Sequence, residues 1–419
     1  MKLQRTAGIA ALLFLALAWT SCGDVFRPVA TPTFPPGGDP AALKHAIIVS
    51  DNGTGNGSTY HIDVSGDTNT IIQPTGVNPV HAALLANQGR VYVANSGSDS
   101  LTSYTTFLEG GSTRTLSLPP GSVPVFVHST QLTNFYVANS GTNRVGVVSV
   151  GTDVLVAEVQ LVPGATPVAL AQTLAGDKLY SINRGSNNVT VIATVDRSII
   201  KSVAVGPAPV WAVVSSDGAR LYILNQGNNT VTVMETVIDT VLDTAVLPGG
   251  SAPTFMVFDP RLLRVYVANT GGNSVSIINA DRNSPNFLSV TTVPLDMNLP
   301  AGVDPGLAPV SITPLPDGSR AYVANRDSNN VSVINTLNNT VTKTIPVGSA
   351  PLSVGSAPDS SRVYVANSGS NNTSVIRTSD DTVLLNVQAP KSSFACVDPD
   401  PPDLPTCPRQ SPRFVIVTP

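Results

Sequence analysis

The chain has 419 residues, of which 42% are hydrophobic and 12% charged, with a formal net charge of −4. This balance, with no basic block, excludes a nucleic-acid partner gripped along its phosphates. Lys (six) and Glu (three) are scarce, while Gly, Pro, Asn, Ser, Thr and Val abound, so strands and turns are favoured over helices.

Residues 1–22 read as an export signal. Lys2 and Arg5 form a positive start, Ala7 to Ala18 a short apolar run, and the small Thr20 and Ser21 precede Cys22. The run is too short for a spanning helix. The placement of Cys22 resembles a bacterial lipoprotein signal, although Trp19 stands where that signal carries Leu, Val or Ile. The resemblance implies lipidation of Cys22, with the membrane as partner through the anchor, at the outer membrane or cell surface. Without lipidation the chain is expected in the periplasm or outside the cell. Residues 23–44 hold Pro28, Pro32, Pro35, Pro36 and Pro40 and read as a stiff tether.

From residue 45 a unit repeats. Val91-Tyr92-Val93-Ala94-Asn95 recurs in related form at 135–139, 179–183, 221–225, 265–269, 321–325 and 363–367. The closing Asn residues are about 42 to 44 positions apart except for one interval, which carries an extra segment around 285–305. An upstream copy, Ile47 to Asp51, fits the same spacing with Asp51 in the Asn place. Each unit parses into four short strands: the Tyr phrase, an alternating strand such as Val189-Thr190-Val191-Ile192, a third strand, and a Gly-x-x-Pro corner leading to a fourth. This predicts an all-β propeller of four-stranded blades over 45–419, with a Cys-containing loop at 390–411. Eight blades are expected, and seven if residues 45–75 pack outside the ring. The first unit lacks the strand that elsewhere follows the corner Pro, and residues 412–419 repeat that strand's Pro spacing. The C-terminal strand is therefore expected to complete the first blade and close the ring.

Tyr-Val-Ala-Asn-x-Gly-x-Asn-x-Val-x-Val-Ile followed by Gly-x-x-Pro resembles the YVTN-repeat β-propeller family over residues 45–388 and the final strand. The resemblance implies an extracytoplasmic, surface-associated propeller, related in shape to haem-d1 and quinoprotein propellers. It implies no single activity.

Signals of chemistry are sparse. His45, His61, His81 and His128 show no metal-ligand spacing, the three Glu are scattered, and no activated-serine elbow occurs. No cofactor and no metal are expected. Asp51, Asp99 and Asp327 fall in turns, where capping accounts for them better than weak Ca²⁺ binding. The repeated Asn is assigned to satisfying its own turn through side-chain-to-backbone bonds. More informative is the second residue after each corner Pro: Phe414, His81, Phe126, Ala169, Trp211, Phe255, Ser311 and Ser353. The arc His81, Phe126, Trp211, Phe255 and Phe414, with Arg184 and Arg326 on the same face, is a candidate site for a sugar, peptide or anionic aromatic ligand. Inter-blade packing of the same side chains is the competing expectation. Cys396 and Cys407 are expected to pair as a disulfide in an oxidising compartment. These residues point to a monomeric, non-catalytic envelope module that binds a protein, glycan or small ligand. The alternative is a periplasmic propeller enzyme, lactonase-like or quinoprotein-like.

Overall fold

The computed structural model describes residues 45–51, 56–64, 66–85, 89–106, 113–390 and 410–417. Cys22, the expected signal and tether, and the pair Cys396 and Cys407 lie outside these residues. The described residues form eight four-stranded antiparallel sheets, arranged as the eight blades of a ring. Blade 1 combines His45–Asp51, Asn56–Asp63 and Thr68–Val77 with the C-terminal strand Ser411–Val417. Ala46 pairs with Val417, Ile48 with Val415 and Val49 with Phe414. Blades 2 to 8 begin at Pro79, Pro124, Pro167, Pro209, Pro253, Pro309 and Pro351. The ring is thus closed by the terminal strand, and residues 45–77 belong inside it as its first blade. Ser50 and Ser58 donate to Gln410, and Arg413 pairs with Asp51 at 3.0 Å, so polar contacts pin the same seam.

Each blade is a gradient of burial. The strand carrying the Tyr phrase is buried on both faces because the sheets of neighbouring blades cover it. Val363, Tyr364, Val365 and Ala366 are all fully buried. Hence the phrase reads as a continuous apolar run rather than an alternation. The outer strand, such as Ile199–Ala204, is mostly exposed and alternates weakly. Each buried Val or Ile contributes about 1.5–3 kcal/mol relative to exposure.

The repeated Asn is wholly buried, but its bonds run elsewhere than to its own turn. Asn225 Nδ2 donates to the hydroxyls of Thr230 and Thr232 on the neighbouring strand, Asn95 and Asn269 follow the same scheme, and Asn325 donates to Asn330 Oδ1 and the Ser332 hydroxyl. Asn139 is the exception: Gly146 stands where the second hydroxyl belongs, and both polar atoms of the Asn139 side chain lack a partner. The Asn also explains one corner glycine. A Cβ on Gly206 would lie 2.6 Å from Asn225 Cγ.

Corners are capped from the preceding blade. At six corners the residue before the Pro has positive φ although none of them is Gly: Val123 (46°), Thr166 (49°), Ala208 (48°), Ala252 (40°), Ala308 (52°), Ala350 (48°). The amide of each accepts a cap from a turn residue one blade earlier: it donates to Asp99, Asn143, Asn187, Asn229, Asn273 and Asn329 respectively, at 2.7–2.9 Å. These cap residues also have positive φ, which Asn and Asp tolerate best. Asp99 is therefore a cap, as its turn position suggests.

Candidate active site

The first strand of each blade lies innermost and touches its counterparts in both neighbouring blades. Just after the corner Pro every one of these strands carries a register shift, for example between Pro209 and Trp211. An extra residue on one strand re-aims the next side chain. The re-aimed residue is the one the sequence singles out.

The arc is real as a contact. His81 stacks on Phe126 at 3.9 Å and lies 4.8 Å from Phe414. Phe126 meets Trp211 edge-on at 5.4 Å, and Trp211 meets Phe255 at 5.0 Å. His81 and Trp211 approach to 6.4 Å although their blades are three apart, so the rings converge across the axis. Trp211, Phe255 and Phe414 are half-buried, while Phe126 and His81 are nearly covered. The cluster is packed, yet three of its five rings keep part of their surface exposed.

By register Ala82, Leu170, Ala212, Met256 and Ile312 correspond to Val127, Val354 and Val415, whose amides leave their own sheet. Three such amides, of Val127, Val354 and Val415, donate to His81 Nδ1, Ser311 Oγ and Ser353 Oγ of the preceding blade. In the other five blades the preceding residue is Phe414, Phe126, Ala169, Trp211 or Phe255, which carry no acceptor. The serines in the column thus have a defined task that their small size alone did not disclose. Burial, reinforced by the charge of His128, pushes the His81 imidazole down to about 3, so it is neutral at ordinary pH. Because its Nδ1 accepts from Val127, the proton of the neutral ring sits on Nε2, which is a donor. The site therefore offers aromatic faces, one imidazole N–H and amide N–H groups. Among the described residues no group of three or more His, Cys, Asp or Glu could hold a metal.

Arg184 and Arg326 follow their Asn on the corner face and are exposed at its rim. Arg184 bonds Gln226 at 3.3 Å and Arg326 pairs with Asp327 at 2.6 Å. Arg326 and Asp327 line a shallow cavity of about 470 Å³ together with Thr254, Thr270 and Asn273.

The profile of the family described as "Lactonase, 7-bladed beta-propeller" matches residues 211–393, which span blades 5 to 8. No curated protein sequence matches the chain. Among solved structures, the hydrazine synthase of Kuenenia stuttgartiensis is similar at 19% identity and TM-score 0.58, over 72% of this chain and 96% of that one. A putative 6-phosphogluconolactonase from Bacteroides fragilis is 15% identical with TM-score 0.57, over 91% and 100%. The dihydro-heme d1 dehydrogenase NirN is 12% identical with TM-score 0.65, over 85% and 76%. At these identities the likeness is one of fold alone, the β-propeller. The expectation of a non-catalytic binding or scaffolding module is corrected by these matches: the family profile and the neighbouring propellers are those of enzymes. Sequence reading weighed acids and histidines as the marks of catalysis.

Proposed function

We propose that the chain is a propeller hydrolase of lactonase-like type, which opens a cyclic ester in the central channel at His81 and Trp211. The observation that carries this reading is the lactonase profile match over 211–393, a span that includes Trp211 and Phe255. The aromatic faces would hold the ester ring. The His81 Nε2–H and the open inner-strand amides would donate to the carbonyl oxygen as negative charge develops on it. Water adds to the carbonyl carbon, the acyl C–O bond breaks, and the leaving oxygen takes a proton, giving a hydroxy acid. The test is acid release in a pH-stat with a panel of lactones, on wild type, Trp211→Ala and His81→Phe. Turnover that both variants lose, with the fold retained, supports the reading. No release from any lactone overturns it, and reduction of an electron-acceptor dye would favour the quinoprotein-like alternative instead.

The finer identity rests on sequence. The Tyr-Val-Ala-Asn units place the chain in the YVTN-repeat family in this reading, exported, anchored through Cys22 and carrying a Cys396–Cys407 disulfide. Labelling with a radioactive fatty acid tests the anchor, with Cys22→Ser as the variant that loses it. Thiol titration of the unreduced, denatured protein tests the bridge.

A further inference from the structure

A second repeated contact binds neighbouring blades on the face opposite the corners. Two residues before the conserved Tyr stands a cation in six blades: Arg90, Lys178, Arg220, Arg264, Arg320 and Arg362. Its partner is the last turn residue before the outer strand of the next blade, again at positive φ. Tyr92 and Arg90 both donate to Asp153, at 2.6 and 2.7 Å. Tyr180 and Lys178 donate to Asp239, and Tyr322 and Arg320 to Asp381. Arg362 reaches Asp67, and Arg264 reaches Asn339. Where blade 3 replaces the cation by Asn134, the next blade replaces the acid by Arg197 (φ 65°).

The junction between blades 5 and 6 breaks the scheme. Arg220 and Tyr222 are present, but the acceptor position is Leu288, at φ 62°. The assignment follows from the turn itself: the Leu288 amide donates to the Asn279 carbonyl as that of Asp153 donates to the Ser149 carbonyl. Tyr222 is fully buried and Arg220 is 9% exposed, yet Tyr222 Oη and Arg220 Nε have no partner. Both residues line a cavity of about 160 Å³ with Phe258, Leu263 and Arg282. Arg282 comes from the segment inserted in blade 6 and has no equivalent at the other junctions. Acids face the cavity too. Asp217 accepts from Ser215 and the Ala219 amide, and Asp281 accepts from the Asn283 amide, while Glu235, outside the lining, takes one Arg220 nitrogen at 3.2 Å. A hairpin acid does not bar a second carboxylate: Asp177 and Asp317 stand beside the filled contacts at Asp239 and Asp381.

We propose that this cavity binds a small carboxylate, which takes the place of the missing aspartate. Its oxygens accept from Tyr222 Oη and Arg220 Nε, and Arg282 supplies countercharge. The volume admits a monocarboxylate of the size of acetate or a short hydroxy acid. The site lies apart from the channel and does not depend on the lactonase reading. The test is the melting temperature of the full chain in sodium acetate against sodium chloride at equal ionic strength. Acetate is expected to raise it saturably in the millimolar range. Tyr222→Phe should raise the half-saturating concentration at least tenfold, and Leu288→Asp should raise the melting temperature without acetate and abolish the acetate response. An equal effect of chloride, or an acetate response left intact in Tyr222→Phe, overturns the proposal. Tyr222→Phe removes only a hydroxyl, so it decides the matter even where Leu288→Asp fails to fold.

Discussion

Three histidines are held neutral by burial, and this sets the acid limit of the protein. His61 and His81 are pushed down to about 3, the first by burial and then by His45, the second by burial and then by His128. Burial takes His128 down to about 4. In the unfolded chain each titrates near 6.5. Their contribution is full above pH 6.5 and is lost as the pH falls towards 3, at up to about 1.4 kcal/mol per pH unit for each. Urea unfolding at pH 7, 5.5 and 4.5 should show the decline, and His128→Phe should flatten it. Trp211 is also legible at this scale. It is half-buried among Phe126, Phe255 and His81, so Trp211→Ala should cost about 2 kcal/mol, less than a full core truncation. A loss above about 4 kcal/mol by chemical denaturation would mean that the ring serves packing alone. Val123 holds a β-branched side chain at φ 46°, a conformation costing about 1–2 kcal/mol for an L-residue. Val123→Gly should therefore raise the melting temperature, and a fall would show that its cap from Asp99 removes the strain.

At the scale of the strand, the seam is the vulnerable element. Ser411–Val417 supplies the whole inner edge of blade 1 and contacts the inner strands of blades 2 and 8. Deleting 412–419 should expose the edge at Ala46–Asp51 and leave an aggregating chain, seen as a high-mass species in light scattering. An unchanged monomer with an unchanged melting curve would count against the clasp. The sequence disclosed this strand because its Pro spacing repeats that of 309–316 and 351–358. Blade number was legible for the same reason, since apolar positions recur in register. The corner caps were not, because Ala208 or Thr166 before a proline gives no hint of positive φ. Nor were the Tyr contacts: each Tyr stands in an apolar run, and its acid lies about sixty residues onward, as from Tyr92 to Asp153 or Tyr180 to Asp239. That offset, paired with a cation two residues before the Tyr, was a usable signal. The channel site was half legible, since the column was visible and the chemistry of its serines and amides was not.

For the whole molecule, the tyrosines set the alkaline limit. Burial raises Tyr60, Tyr92, Tyr104, Tyr180, Tyr322 and Tyr364 well above the usual phenol range and brings Tyr222 up to about 12. Stability is thus full below pH 10, where the unfolded tyrosines are neutral, and is lost as the pH rises beyond it. Phenolate absorbance should stay silent past pH 10 and then appear in one step with unfolding; a gradual rise from pH 10 would show the phenols to be accessible. The corner caps carry a different consequence, for how such rings change size. On the corner face, six junctions share one interchangeable joint, a turn Asn or Asp gripping the residue before the next corner Pro. Excising residues 208–251 in register would deliver Ala252 to Asn187, the same joint with a new neighbour. On that face a blade can be gained or dropped without inventing a joint, and a seven-bladed profile can match four blades of an eight-bladed ring.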